Sequence, residues 1–168
     1  MKLQISKMIT VLSILLMLMT SCEKKEMDFP LAPENPNKQE LLDLVNKART
    51  SGCYCGNKYF PPVDSLVWNN KLEQAAQNHS DDMNENNFFS HTGSDGSSLM
   101  DRIFATGYDC NSCGENIAKG YVTEKAVINA WLKSEGHCKN IMNANFTEMG
   151  VATSGSYWTQ VFGGKVKR

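Results

Sequence analysis

Across its 168 residues the chain has almost no charge bias: Lys and Arg number 17 against 18 Asp and Glu, a formal net charge of −1. No basic run and no aromatic–basic stripe breaks that balance, which argues against a nucleic-acid partner. No internal repeat or low-complexity segment is present, so solenoid and propeller architectures drop out too. Long apolar runs are missing after the first 22 residues. The early one, Met8 to Met19, carries no charge but falls short of the roughly 20 apolar residues that a bilayer span requires. Histidine is scarce, with three in the whole chain.

What is there begins with an address. Lys2 and Lys7 flank the start of the apolar stretch, which ends in Met19-Thr20-Ser21-Cys22. Small residues directly before a cysteine resemble a bacterial lipoprotein signal, in which the cysteine is lipidated and becomes the mature N-terminus. Removing residues 1–21 takes away two lysines and no acid, so the mature formal charge moves from −1 to −3. Residues 22–37 place Pro30, Pro33 and Pro36 among charged side chains and read as an extended, lipid-anchored tether. The expected location is the bacterial cell envelope, as an outer-membrane or surface lipoprotein held to the membrane through Cys22.

Residues 38–168 are long enough for one core. Asn37 and Glu40 make a capping pair ahead of Leu41, Leu44, Val45 and Ala48, which predicts a helix over 38–50 ending at Gly52. A turn-rich loop through Cys53, Cys55, Pro61 and Pro62 follows. Leu72, Ala75, Ala76, His79 and Met83 share one face of a second helix that starts near Asn69 or Asn70. His79, among apolar neighbours, reads as a half-buried histidine satisfied by one hydrogen bond. A short helix is expected over 98–106 with Leu99, Ile103 and Phe104 inward, then a strand over 115–121. Thr123 caps a helix over 124–134 whose Val127, Ala130 and Trp131 point inward. Two β-rich runs, 146–153 and 157–162, flank Ser154-Gly155-Ser156 as a hairpin with Trp158 in the core. Helices first, then one strand, a helix and a hairpin cannot build a parallel doubly wound sheet. The order predicts an α+β fold, a three-layer α-β-α sandwich around a small antiparallel sheet.

The motifs NNFFSHTG, GENIA, AW followed by SEGH, FTEMGVA and YWTQVFG occur in that order between about 38 and 164. Together they resemble the CAP superfamily (cysteine-rich secretory proteins, antigen 5 and pathogenesis-related 1, the SCP domain) in its bacterial secreted branch. The resemblance implies an α-β-α sandwich whose cleft holds two histidines and two acids, the histidines able to take a divalent metal such as zinc. His91 matches the first histidine, Glu115 the acid of GEN, and His137 the histidine after glycine. The second acid of the family lies three residues after the tryptophan. Here that position is Ser134, and the nearest carboxylate is Glu135, which fills the role only if the helix has already ended. The implied cleft is thus His91, Glu115, Glu135 and His137, with His91 and His137 as metal ligands.

Besides Cys22, the cysteines are Cys53, Cys55, Cys110, Cys113 and Cys138. Five is odd, so two disulfides and one free thiol is the simplest oxidised state. Cys110 and Cys113 are near enough in sequence to pair, and Cys138 is left to Cys53 or Cys55. The expected function is an extracytoplasmic binding module for a metal and a small lipid, peptide or glycan. A metal-assisted hydrolase with Glu115 as base, and an envelope or adhesion protein with an inert cleft, stand beside it. Replacing Cys22 by Ser is expected to release the protein from the membrane fraction or block its processing. Wild-type protein that is already soluble and starts at another residue would contradict the anchor.

Overall fold

The computed structural model describes residues 29–164; the expected signal segment, Cys22 and the first part of the expected tether lie outside the described residues. Asn37 opens the first helix: its side-chain carbonyl accepts from the Glu40 N–H at 3.1 Å, while the Glu124 carboxylate accepts from its own N–H at 2.6 Å. Helix α1, Lys38–Ser51, buries Leu41, Val45 and Arg49 and ends at Gly52, whose φ of 70° suits a residue without Cβ. Next comes a hairpin, β1 (Cys53–Cys55) and β2 (Lys58–Phe60), in place of the expected loop. Gly56 supplies φ 61° at the first turn position, as a type II′ turn requires. Strands this short leave no period-two pattern to detect.

β3 (Val67–Trp68) leads into α2 (Asn70–Glu85), capped by the Asn69 side chain, which accepts from Lys71 and Leu72 N–H groups at 2.9 and 3.3 Å. The predicted face of α2 is the buried one, His79 included. α3 (Leu99–Ala105) opens with a reciprocal Ser98–Asp101 capping box. Phe104, expected inward, is 55% exposed, and Arg102 is buried instead. Phe104 lies about 100° round the helix from Ile103, beyond the face that meets α2. β4 (Ser112–Lys119) begins ahead of the predicted start, so Glu115 sits inside the strand and not at its opening. α4 (Glu124–Lys133) stops at Ser134, whose ψ of 121° breaks the helix, and α5 (Glu135–Ile141) begins at once. His137 therefore rides on a helix and not in a loop. β5 (Glu148–Ser154) and β6 (Tyr157–Gly164) form the predicted hairpin.

The main sheet has the order β3-β5-β6-β4, with the long strands antiparallel and the two-residue β3 added parallel to β5. Period-two alternation sends its side chains into two cores. Met149, Val151, Trp158 and Phe162 pack with Leu41, Val45, Ile128, Trp131 and Ile141 on the face covered by α1, α4 and α5. Ala152 and Val161 meet Leu72, Ala75, Ala76, Ile103 and Tyr108 on the face covered by α2 and α3. A Cβ on Gly150 would overlap the Glu73 backbone, so only glycine lets α2 lie this close to β5. The three layers match the predicted sandwich. β4 lies at one edge of the sheet.

Arg49 is buried and ties the first layer together by donating to the carbonyls of Asp64, Ile141, Asn143 and Phe146 at 2.6–3.1 Å. Burial brings its guanidinium down to about 10, with Asp64 opposing. Ala32 and Pro33, placed in the expected tether, are bonded to the domain: Ala32 N–H donates to Gly155 O and the Thr153 hydroxyl to Pro33 O, each at 2.7 Å. Trp131 and Trp158 are both buried, with indole N–H groups donating to Ile117 O at 3.2 Å and Tyr121 O at 2.8 Å. Truncating either to Ala is expected to cost about 3–5 kcal/mol in chemical denaturation. An unchanged midpoint for both variants would contradict this packing.

Candidate functional site

At the β4 edge, Glu115 belongs to the same sheet face as its register partner Val161, and so points toward α2 and α3. Its side chain is 3% exposed, and both oxygens are occupied. Oε1 takes the His91 Nδ1 at 2.7 Å, and Oε2 accepts from Arg102 Nη2 at 2.8 Å. A buried carboxylate needs such partners, because desolvation alone costs several kcal/mol. Arg102 comes from α3, directed inward on the turn that buries Ile103. The same Nη2 also donates to the His91 carbonyl at 3.0 Å, and Nη1 to Ser97 O at 3.1 Å. One guanidinium thus fixes the acid and the loop that presents the histidine.

His79, on α2, lies behind this pair with Nε2 at 3.9 Å from Glu115 Oε1. It is fully buried, more than the half-burial expected, and its one hydrogen bond, to Ser90 O at 2.8 Å, holds the residue before His91. Its Nδ1 is a buried polar atom without a hydrogen-bond partner. Burial lowers the His79 imidazole below its ordinary value, against the opposing pull of Glu115.

His137 reaches the same edge from the opposite layer. Asn116, next along β4, points to that side and donates to the His137 carbonyl at 3.2 Å and to Gln160 Oε1 at 3.0 Å. Asn140, one turn on in α5, donates to Glu115 O at 3.0 Å and Asn116 Oδ1 at 2.9 Å. The two asparagines stitch α5 to the strand that carries Glu115. Partial burial lowers the His137 imidazole, and the charge of nearby His91 lowers it further. The His91 side chain is 58% exposed.

Glu135 stands apart from this cluster. Its side chain is 59% exposed, bonds Lys139 at 2.5 Å and lies against the turn at Gly56. The helix does end before it, at Ser134, but a new helix starts there, and its first residue faces solvent. His91, Glu115 and His137 do not draw three ligand atoms within 4.8 Å of one another. Among the described residues the one cysteine, histidine and acid group that does is Cys53, Cys55 and Cys138. The first site is therefore open, with two histidines at most as direct ligands. Arg102, Asn116, Asn140 and Gln160 were not marked by sequence. Their roles arise only when α3, β4, α5 and β6 meet. Two disulfides are formed, Cys55–Cys138 and Cys110–Cys113, leaving Cys53 free among the described cysteines.

Residues 42–162 match the family model described as CAP, the cysteine-rich secretory protein family. An uncharacterized protein, YkwD, of Bacillus subtilis strain 168 is 46% identical over 96 residues, covering 56% of this chain and 37% of its own length. An uncharacterized membrane protein, YlbC, of the same organism is 36% identical over 129 residues, covering 77% of this chain and 35% of its own. This chain therefore spans about a third of the length of these relatives. A crystal structure of an extracellular protein containing a SCP domain from Bacillus anthracis superposes with a TM-score of 0.67 at 35% identity, covering 76% of this chain and 40% of that one.

His79 and His137 are both lowered in the fold, while in the unfolded chain they protonate near 6.5. Below that value the unfolded state binds more protons, so stability is full above about pH 6.5 and declines as pH falls. Urea midpoints at pH 7.5, 6.5 and 5.5 are expected to drop for the wild type and to drop less for His79→Gln. Equal declines in the two proteins would contradict the role of buried His79.

Proposed function

The chain belongs to the cysteine-rich secretory protein (CAP) family, and from that premise we propose that it is an extracytoplasmic, lipid-anchored binding module whose β4-edge cleft takes a divalent metal between His91 and His137. The observation that carries the reading is the bond from His91 Nδ1 to Glu115, itself held by Arg102. A carboxylate on Nδ1 makes that nitrogen the donor and leaves Nε2 with its lone pair on an exposed ring. His137, whose protonated form burial disfavours, supplies the second imidazole. One imidazole backed by a carboxylate and a second beside it suit zinc, and two of them leave positions open for a small lipid, peptide or glycan group.

In this reading Glu115 orients His91 and does not touch the bound species. Both its oxygens are engaged and its side chain is sealed from solvent, so a bound water has no free oxygen there to give a proton to. That weighs against a hydrolase with Glu115 as base. A metal in this cleft would act as a Lewis acid toward whatever it binds. Arg102 and the Asn116–Asn140 pair supply positioning for the two histidine-bearing segments.

Zinc titration of the mature protein tests the proposal. His91→Ala and His137→Ala are each expected to abolish most of the binding, and Glu115→Gln to weaken it about tenfold through loss of ring orientation. Affinity is expected to fall as pH drops through about 6.5, since protonated imidazole cannot ligate. Binding indifferent to both histidine changes would overturn the proposal.

A further inference from the structure

β1 sets Cys53 and Cys55 two residues apart, so both sulfurs leave the same face of the strand, toward α5 and Cys138. All three Sγ atoms lie within 4.8 Å of one another. Cys55 and Cys138 form the disulfide, with their Cα atoms 5.4 Å apart, and both are fully buried. Cys53 keeps its thiol, is only partly buried, and places its Sγ 3.7 Å from that of Cys138. With the other two sulfurs joined, one thiol remains, too few for a thiolate metal site. A thiol in van der Waals contact with a disulfide sulfur has another chemistry open to it.

We propose that Cys53, Cys55 and Cys138 form a disulfide-exchange site, through which the sealed Cys55–Cys138 link communicates with thiols outside the protein. Once Cys53 gives up its proton and its side chain swings into line with the Cys138–Cys55 bond, its thiolate attacks Cys138 Sγ; the Cys53–Cys138 bond forms as Cys138–Cys55 breaks, and Cys55 leaves as a thiolate that takes up the proton Cys53 released. The count of disulfides is unchanged, so the step needs no oxidant or reductant. It moves the cross-link from two buried sulfurs to a pair that includes the partly exposed one. A small-molecule or protein thiolate can then attack Cys53 Sγ, forming a mixed disulfide there and releasing Cys138 as a thiolate. Among the described residues the hairpin β1–β2 pairs only with itself, in a sheet apart from the main one, so exchanging its anchor point leaves the β3-β5-β6-β4 ladder intact. Burial raises the Cys53 thiol above its ordinary value, so exchange is slow at neutral pH and quickens as pH rises. The inference stands on the three cysteines alone and is independent of the histidine site.

The test uses the full mature chain, unreduced and folded, held at pH 7 and pH 8.5, then quenched in acid, unfolded in guanidinium at acid pH, labelled there with N-ethylmaleimide so that buried thiols react too, and digested with chymotrypsin, which cuts after Tyr54 and so separates Cys53 from Cys55. Label is expected on Cys55 as well as Cys53, with Cys53–Cys138 peptides appearing beside Cys55–Cys138 ones and increasing with pH. In Cys53→Ser, which leaves the disulfide in place, reduction of Cys55–Cys138 by dithiothreitol in the folded protein is expected to slow about tenfold or more, since the relay sulfur is gone. Label confined to Cys53 at both pH values overturns the proposal. So does a Cys53→Ser protein whose link is reduced as fast as that of the wild type.

Discussion

A carboxylate with almost no access to water has to be matched, and the matching of Glu115 dictates how the β4 edge is built. Its desolvation is offset by Arg102 on one oxygen and His91 on the other, with buried His79 behind them. Arg102 can reach only because α3 turns it inward in place of Phe104, and the same guanidinium fixes the His91 carbonyl. His79 does the same for Ser90. The loop carrying an exposed imidazole is therefore held by two buried groups that themselves depend on Glu115. On the other side of the strand, Asn140 accepts the duty of pinning α5 to the Glu115 backbone. Those few polar contacts hold both histidine-bearing segments to the β4 edge.

Much of the fold was legible because its signals are local. Asn37, Asn69 and Thr123 cap their helices within three residues, and the apolar faces of α1, α2 and α4 repeat at helical spacing. The closing hairpin showed itself by two β-rich runs on either side of Ser154-Gly155-Ser156. What escaped was short or set by tertiary contact. β1 and β2 are too brief to show a pattern, and α5, with Gly136 near its start, has little intrinsic helix propensity. Its existence moves His137 from a loop to a helix and turns Glu135 away to Lys139 and solvent.

The histidines and Glu115 came to notice through motif resemblance, while their supports did not. Nothing in the sequence near Arg102 tells it from a surface arginine; its burial comes from the crossing of α3 over β4. Asn116 and Gln160 read as strand residues of unremarkable polarity, yet they face each other across the β4–β6 register and form a buried polar pair. Cysteine parity called for one free thiol but left open which it was. The hairpin settles that by placing two candidates before one partner and burying Cys55 the deeper.

The orientation of the His91 ring is what the account turns on, and 15N NMR of the imidazoles during zinc addition reads it most directly. With Nδ1 given to Glu115, the His91 Nε2 resonance and one ring nitrogen of His137 are expected to shift as zinc is added, while His91 Nδ1 keeps its hydrogen-bonded position. A His91 ring that does not respond, or one whose Nδ1 moves in place of Nε2, would contradict it.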